Sequence, residues 1–477
     1  MAAKVLVIGG GPGGYVAAVR AAQLGGEVTV VEKENVGGTC LNWGCIPSKI
    51  MKTSAELLEK IHQAQGFGLA VTGEAKPDME RLMARKASVI NTQIKGIEGL
   101  LKHHKIKLMK GEGIIDGPGK ASVRGADGST AAVDFDRLIL AMGSTPMNIP
   151  AFPFDGDRIL SSNHILAITE VPQSILIVGG GVIGCEFACI LSALGAKVTV
   201  VEALDRLLPL PSVDADCSKV LQREMKKRKI DIHVNRTVAA VAKTEAGVSV
   251  TIGPSPFAAD LKEKEKVPFQ VEAQKVLVSI GRSPATSGVG LEKIGLTLNA
   301  KGWIPADDHM RTNVSGVYAI GDILGPEKVM LAHAASAEGL VAAENAMGGD
   351  KTMDYRVIPG AIFTMPEVGT VGLSEAQAIE MGIDARGDSV LYRAIGKAQV
   401  IDELAGQAKI VSEKGTGRVL GVHLIGAHAT DLVAEGALAV QNGLTVAQIA
   451  GTIHAHPTLA EIMSETAMKA MDRALHG

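Results

Sequence analysis

Short apolar runs punctuated by glycine clusters set the rhythm of this chain. Val5 to Ile8 is wholly apolar, and Val28-Thr29-Val30-Val31 repeats the pattern before Glu32. Runs this short and this rich in β-branched residues predict strands. Between them Gly9-Gly10-Gly11-Pro12-Gly13-Gly14 predicts a tight turn, and Tyr15 to Leu24 a helix that Gly25 ends. The same order returns 170 residues on, counted from Gly9 to Gly179. Ser174 to Val178 is strand-like, Gly179 to Gly184 repeats the turn, a helix runs to Leu194-Gly195, and Val198 to Val201 precedes Glu202.

Each copy reads G-x-G-x-x-G, carried by Gly9, Gly11 and Gly14 and by Gly179, Gly181 and Gly184. In each the acid falls 18 residues after the last glycine. The first glycine permits the turn, the second lets backbone approach a pyrophosphate, and the third lets helix pack on strand. The pyrophosphate then meets the positive end of the helix, and the acid can accept hydrogen bonds from ribose hydroxyls. One such turn is weak evidence; two, each in strand–helix–strand context with its acid, predict two bound dinucleotides.

The domain divisions follow. Residues 1–150 form a first nucleotide domain closed by Arg137 to Pro146, and residues 151–280 a second, ending on Lys275 to Gly281. Within the second, the charged stretch Pro254 to Lys266 reads as a solvated loop or hairpin extension. Residues 281–350 form a central domain with a strand ending at Gly321-Asp322 and a helix over Leu331 to Met347. Residues 351–477 alternate strands with Ala-rich helices near Thr430 to Asn442 and Ala460 to Leu475, with no nucleotide motif. The fold class is α/β: two Rossmann-like dinucleotide-binding domains plus a C-terminal α/β domain of the kind that often dimerises.

Charge and composition narrow the function. Lys and Arg number 48 against 51 Asp and Glu, and aromatics make up 3% of the chain. That leaves no basic excess to track phosphates and few rings to stack on bases, which argues against nucleic acid. The 56 glycines are about 12% of the chain, against ~7% in an average protein; their clustering points to turns that approach a ligand. No apolar run nears the roughly 18 residues of a membrane span, and the apolar start before Gly9 is too short for a signal peptide. Five cysteines are too few and odd in number for a secreted scaffold. A cytoplasmic protein with no membrane segment is expected. Cys185, Cys189 and Cys217 read as small buried hydrophobes.

Candidate chemistry comes just after the first acid, in Gly37-Gly38-Thr39-Cys40-Leu41-Asn42-Trp43-Gly44-Cys45-Ile46-Pro47-Ser48-Lys49. A C-x₄-C pair can be half a zinc site, a disulfide or a coincidence. Zinc wants three or four ligands and no second Cys/His pair is near, so no metal is expected. Five residues of straight helix rise about 7.5 Å, beyond the roughly 6.8 Å that a disulfide spans between Cα atoms. If the sulfurs bond, the chain is distorted there, and Gly44 eases that. Near the C-terminus, His456 is followed by Pro457 and, five residues after the histidine, by Glu461, a spacing that suits a base and its orienting carboxylate.

With these motifs together, the chain resembles the flavin-dependent pyridine nucleotide–disulfide oxidoreductases over nearly its whole length, and within them the members that oxidise protein-bound dihydrolipoyl groups to lipoyl groups while reducing NAD to NADH. The resemblance implies that Cys40 and Cys45 form a redox-active disulfide, with Cys45 the charge-transfer thiol beside FAD and Cys40 the interchange thiol. It implies that Lys49 and Glu186 form a pair beside the flavin, and that His456 is the base and Glu461 its orienter. FAD would be held by Gly9, Gly11, Gly14, Glu32, Gly38, Thr39, Gly143 and Asp322, and NAD by Gly179, Gly181, Gly184, Glu202 and Gly281. Met142 stands where the family often has Thr, and Trp43 where smaller residues are frequent. The implied partners are a second copy, forming a homodimer, and a lipoyl-bearing carrier: a 2-oxo acid dehydrogenase acyltransferase or a glycine cleavage carrier. Two rivals remain. A glutathione-reductase-like enzyme on NADPH is opposed by Glu202, whose carboxylate would repel a 2′-phosphate. A non-catalytic nucleotide sensor is opposed by the intact Cys40, Cys45, His456 and Glu461.

Overall fold

A computed structural model describes residues 2–259 and 261–476. The chain divides into two compact units that alternate along the sequence: Met1–Met51, Glu80–Met147 and Gly281–Tyr355 in the first, and Lys52–Met79, Asn148–Ile280 and Arg356–Gly477 in the second.

The first unit is built on a parallel five-stranded sheet, in the order Val317–Ala319, Arg137–Leu140, Lys4–Ile8, Glu27–Glu32 and Lys107–Lys110. The strands Lys4–Ile8, Arg137–Leu140 and Val317–Ala319 are buried almost throughout, which is why they read as continuous apolar runs, whereas the edge strand Lys107–Lys110 is only partly covered. Leu138, Ile139 and Leu140 are all fully buried, each contributing about 1.5–3 kcal/mol of transfer free energy. The helix Pro12–Gln23 begins earlier than its apolar pattern suggests, because Pro12 at its first turn gives up an N–H that no helix start could satisfy. It packs against the helix Ala332–Ala346 backbone to backbone: a Cβ on Gly339 would lie 2.5 Å from the Gly13 carbonyl oxygen. Any side chain there would push the two helices apart. A small antiparallel sheet, Glu112–Gly117, Lys120–Arg124 and Thr130–Asp134, is inserted before Arg137.

In the second unit a parallel sheet again has the strand before the glycine turn at its centre: Asp231–His233, Lys197–Val201, Ser174–Val178, Lys275–Val278 and Ile159–Leu160. The antiparallel strands Arg236–Lys243, Val248–Pro254 and Phe269–Ala273 form a further sheet. The charged segment after Pro254 is the connection of this hairpin, carrying a short helix Glu263–Lys266 with a Lys266–Glu263 pair at 2.6 Å; its residue 260 lies outside the described residues. The C-terminal part is an antiparallel sheet ordered Gly360–Ile362, Glu367–Gly372, Val419–Gly426, Gln407–Glu413 and Ala385–Leu391. The helices Ala429–Gln441 and Glu461–Ala470 share its core, through Val433, Ala439, Ile462 and Met463. The last helix stops before Leu475, the limit of its apolar pattern, and Asp472 just beyond takes a left-handed φ of 58°. Among the described residues no helix is long and apolar enough to cross a membrane.

Candidate active site

The first glycine turn and its acid are tied together. Glu32 accepts the Gly10 N–H at 2.7 Å on one carboxylate oxygen and the Glu34 N–H at 2.8 Å on the other. Gly9 has φ +105°, and a Cβ there would sit 2.2 Å from the Ala141 carbonyl oxygen. At Gly14 a Cβ would fall 1.9 Å from the Gly9 carbonyl oxygen, so strand, turn and helix require both glycines. Gly11 differs, since its Cβ would meet only the Gly38 Cα, at 3.8 Å. The fold does not demand glycine at this position, but a ligand pressed to the backbone would.

The second turn repeats this bonding. Glu202, buried, accepts Gly180 N–H at 2.5 Å and Leu204 N–H at 2.8 Å. A Cβ on Gly184 would lie 1.9 Å from the Gly179 carbonyl oxygen, whereas one on Gly181 would meet nothing within 4 Å. In both units the middle glycine faces open space at a helix N-terminus, the geometry that accepts a pyrophosphate.

The segment after Glu32 turns through Gly37 (φ +92°) and Gly38 (φ +53°) into the short helix Gly38–Trp43. Asn42 stitches this turn, donating to the carbonyls of Gly38 at 3.0 Å and Val36 at 3.3 Å. At Gly44 the helix breaks, with φ −151° and ψ −108°, and a new helix runs from Cys45 to His62. Cys40 and Cys45 therefore flank a distortion, as a bonded pair at this spacing would need. A Cβ on Gly44 would come within 3.0 Å of the Thr39 carbonyl oxygen. The hydrogen bond to Cys45 and then burial push the Cys40 thiol well above its ordinary pKa, while the charge of Lys49 pulls it down. The same helix start is fixed by Ser48, whose hydroxyl donates to the Cys45 carbonyl at 3.1 Å and accepts from Lys49 Nζ at 3.4 Å. Trp43 Nε1 donates to Glu34 at 2.9 Å, which gives this unusual residue a local anchor.

Asp322 stands at the head of the 3₁₀ turn Gly321–Leu324 and is part of a network that no sequence motif predicts. It accepts the Ser144 hydroxyl at 2.6 Å; Arg282 donates from Nε to that hydroxyl at 2.6 Å and from Nη2 to the Ser144 carbonyl at 2.7 Å. Gly143 (φ +70°) and Gly281 (φ +134°) flank the paired strands Ser144–Pro146 and Arg282–Pro284 that make this possible. Behind Asp322, the fully buried Glu338 accepts the Gly321 N–H at 2.6 Å and the Tyr355 hydroxyl at 2.7 Å. Burial raises the Glu338 pKa despite both bonds.

His456 lies in the second unit with Glu461, its Nδ1 2.8 Å from one carboxylate oxygen. The other oxygen accepts the Thr458 N–H at 2.9 Å. Desolvation opposes ionisation of Glu461, but the bonds from His456 and Thr458 outweigh it and lower its pKa. The contact to Glu461 engages Nδ1 and not Nε2, and the His456 side chain is 77% exposed. His454 is the opposite case: its two nitrogens meet the Thr452 carbonyl at 2.9 Å and Glu435 at 3.0 Å, so it is a structural histidine. Lys49 belongs to the first unit and Glu186 to the second, where buried Glu186 accepts the Phe363 N–H at 2.9 Å. Cys185, Cys189 and Cys217 are buried, and desolvation raises all three thiols, which removes them as nucleophiles.

Residues 3–339 match the pyridine nucleotide-disulphide oxidoreductases, and residues 358–467 match the dimerisation domain of the same family. The chain belongs to the pyridine nucleotide-disulphide oxidoreductases. It is similar to the dihydrolipoyl dehydrogenase of Chlamydia muridarum, 40% identical over 99% of this chain and 97% of that one. The dihydrolipoyl dehydrogenase of Bacillus subtilis is 39% identical over the same shares. The crystal structure of LpdA from Mycobacterium tuberculosis superposes with a TM-score of 0.88 at 30% identity, covering 98% of this chain and 99% of that one. This pyridine nucleotide-disulphide oxidoreductase is thus an enzyme of the flavoprotein disulfide reductase fold that uses FAD and NAD, and its dimerisation domain makes it a homodimer. The open space at Gly11 and Gly181 fits two dinucleotides.

Proposed function

We propose that the chain is an NAD-linked dihydrolipoyl dehydrogenase that oxidises dihydrolipoyl groups on a carrier protein through the Cys40–Cys45 pair. One observation carries this reading: the two cysteines flank a helix break directly after the first nucleotide turn, in a chain about 40% identical end to end to dihydrolipoyl dehydrogenases. In this reading Gly9, Gly11, Gly14, Glu32, Gly38, Thr39, Gly143 and Asp322 hold FAD, and Gly179, Gly181, Gly184, Glu202 and Gly281 hold NAD. Two-electron transfer from the thiols to the nicotinamide is the chemistry that bound FAD supplies.

The protein's own steps are acid–base and thiol exchange. His456 Nε2 takes the proton of one dihydrolipoyl thiol while Glu461 holds the ring by Nδ1 and balances the imidazolium. The thiolate attacks Cys40 Sγ of the oxidised pair; the Cys40–Cys45 bond breaks, a substrate–Cys40 disulfide forms, and Cys45 leaves as thiolate. His456 passes the first proton to solvent and takes that of the second substrate thiol, whose thiolate attacks the substrate sulfur bonded to Cys40 in the mixed disulfide. The lipoyl ring closes and Cys40 is released, so the substrate loses two electrons and the pair gains them. His456 and Glu461 of one chain serve the cysteines of its partner, so a dimer has two equivalent sites. The carrier is the lipoyl protein of a 2-oxo acid dehydrogenase complex or of glycine cleavage, in the cytoplasm. The test is NADH formation from dihydrolipoamide by the FAD-loaded dimer; a yellow, folded protein that forms none contradicts the reading.

A further inference from the structure

The loop after Glu202 is held far more firmly than a surface turn needs to be. Leu208 has a left-handed φ of 47°, a conformation that a bulky residue adopts only when its surroundings impose it. Its N–H donates to the Gly180 carbonyl at 2.8 Å, and Leu207 comes so close that a Cβ on Gly180 would lie 2.7 Å from its Cδ2. Leu204 N–H is bound to Glu202. The loop therefore rests on both the glycine turn and the acid.

Arg206 closes it. Its guanidinium donates from Nη1 to the Val213 carbonyl at 3.1 Å and to the buried Ser218 hydroxyl at 2.6 Å, and from Nη2 to the Leu210 carbonyl at 3.1 Å. Ser218 lies on the helix Ala215–Lys227, whose N-cap is Asp214. That helix start is itself pinned: Lys409 Nζ, on the antiparallel sheet, lies 3.1 Å from Asp214, 3.2 Å from Asp216 and 3.1 Å from Glu375. The guanidinium thus ties a strained loop to a post that cannot drift. Both of its terminal nitrogens are already committed, which also keeps this cation from turning toward a 2′-phosphate near Glu202.

We propose that Arg206 is a positioning residue for the pyridine nucleotide: it holds the Leu204–Leu210 loop as the wall of the adenosine end of the second cradle and so sets both affinity and preference for the unphosphorylated ribose. The inference rests on the assignment of the second cradle to NAD. A fork donating to three acceptors fits arginine and not lysine, so Lys is not expected to substitute fully.

The experiment uses the FAD-loaded dimer. Equilibrium binding of ADP-ribose is measured by titration, beside kcat and KM for NAD with dihydrolipoamide. Arg206→Met is expected to weaken ADP-ribose binding about tenfold and raise KM for NAD to match, with kcat at saturating NAD within about twofold of the unsubstituted enzyme; a tenfold change corresponds to about 1.4 kcal/mol. Arg206→Lys should fall between. Ser218→Ala, which removes one acceptor and leaves the charge, should weaken binding about threefold and covers the case in which Arg206→Met does not fold. Unchanged ADP-ribose affinity in folded Arg206→Met or in Ser218→Ala overturns the inference, as does a fall in kcat with affinity intact. A parent enzyme inactive on dihydrolipoamide whose ADP-ribose affinity still depends on Arg206 would overturn the proposed reaction and support the role of Arg206.

Discussion

In the first cradle Glu32 accepts the N–H groups of Gly10 and Glu34; in the second, Glu202 accepts those of Gly180 and Leu204. Up to the acid the two are copies, each with a middle glycine that no protein atom requires. Beyond it they part. After Glu32 the chain turns at Gly37–Gly38, with Gly38 against Gly11, and delivers Cys40 and Cys45 across the Gly44 break. After Glu202 it closes into the Arg206-tied loop with no reactive group. One scaffold thus serves a reactive site and a docking site. In the proposed function, binding comes from the repeated part and chemistry from the segment beyond the acid.

The largest effect is expected from the base. His456→Gln should lower kcat for dihydrolipoamide oxidation by about 100- to 10,000-fold, while reduction of the flavin by NADH keeps its rate. Stopped-flow spectra of each half-reaction separate the two, and an equal loss in both would remove His456 from the proton transfer. With sites shared as proposed, a mixed dimer of Cys45→Ser and His456→Gln chains should recover about half the activity of the parent dimer, one of its two sites then being intact. No recovery in a verified mixed dimer would place each site within one chain.

The cradles can be broken one at a time. Gly11→Val should leave the apoprotein folded yet weaken FAD retention about 100-fold, since the new side chain enters space that the fold leaves open. Gly181→Val should instead raise KM for NAD by a similar factor with FAD still at one per chain. Bound-flavin absorbance and NAD saturation curves check both; loss of FAD from Gly181→Val would reverse the assignment. Glu202→Gln, which removes the charge but keeps an acceptor, should narrow the preference for NAD over NADP about tenfold in kcat/KM.

The smallest effect should fall outside both cradles. Glu367 binds Lys52 at 2.7 Å and accepts the Thr430 hydroxyl at 2.7 Å. Burial opposes its ionisation, but those bonds win and its pKa is lowered. A lowered carboxylate contributes stability that is complete above the ordinary value of about 4.3 and is lost as pH falls through the lowered one. Glu367→Gln should cost about 1.5 kcal/mol at neutral pH, and the gap to the parent should shrink below about pH 4. Denaturant midpoints at the two pH values check this; a constant gap would mean that the carboxylate charge contributes nothing.

The repeat, the parallel sheets and the cysteine segment were legible in the sequence because each is local: an apolar run, a glycine spacing, an acid at a fixed offset. Asp322 stood out only as part of a family motif. Its partners Ser144 and Arg282 lie 178 and 40 residues away in the chain, and no local pattern links them. Buried Glu338 belongs to no sequence motif, and its partners Gly321 and Tyr355 each lie 17 residues away. His454 and His456 are two residues apart, and only the contacts made by Glu435 and Glu461 separate a structural ring from an exposed one. The strand order of the C-terminal sheet was also beyond a reading based on apolar runs, since antiparallel pairing leaves register to turns and long connections.

In the proposed function the segment after the first acid, and not the cradle itself, makes this a redox enzyme, with Cys45 facing the flavin and Cys40 facing substrate. Anaerobic spectra of the FAD-loaded Cys40→Ser and Cys45→Ser proteins test it most directly. Cys40→Ser should show a long-wavelength charge-transfer band from the remaining Cys45 thiolate, and Cys45→Ser should show none. A band in Cys45→Ser alone, or in neither protein, would contradict the account.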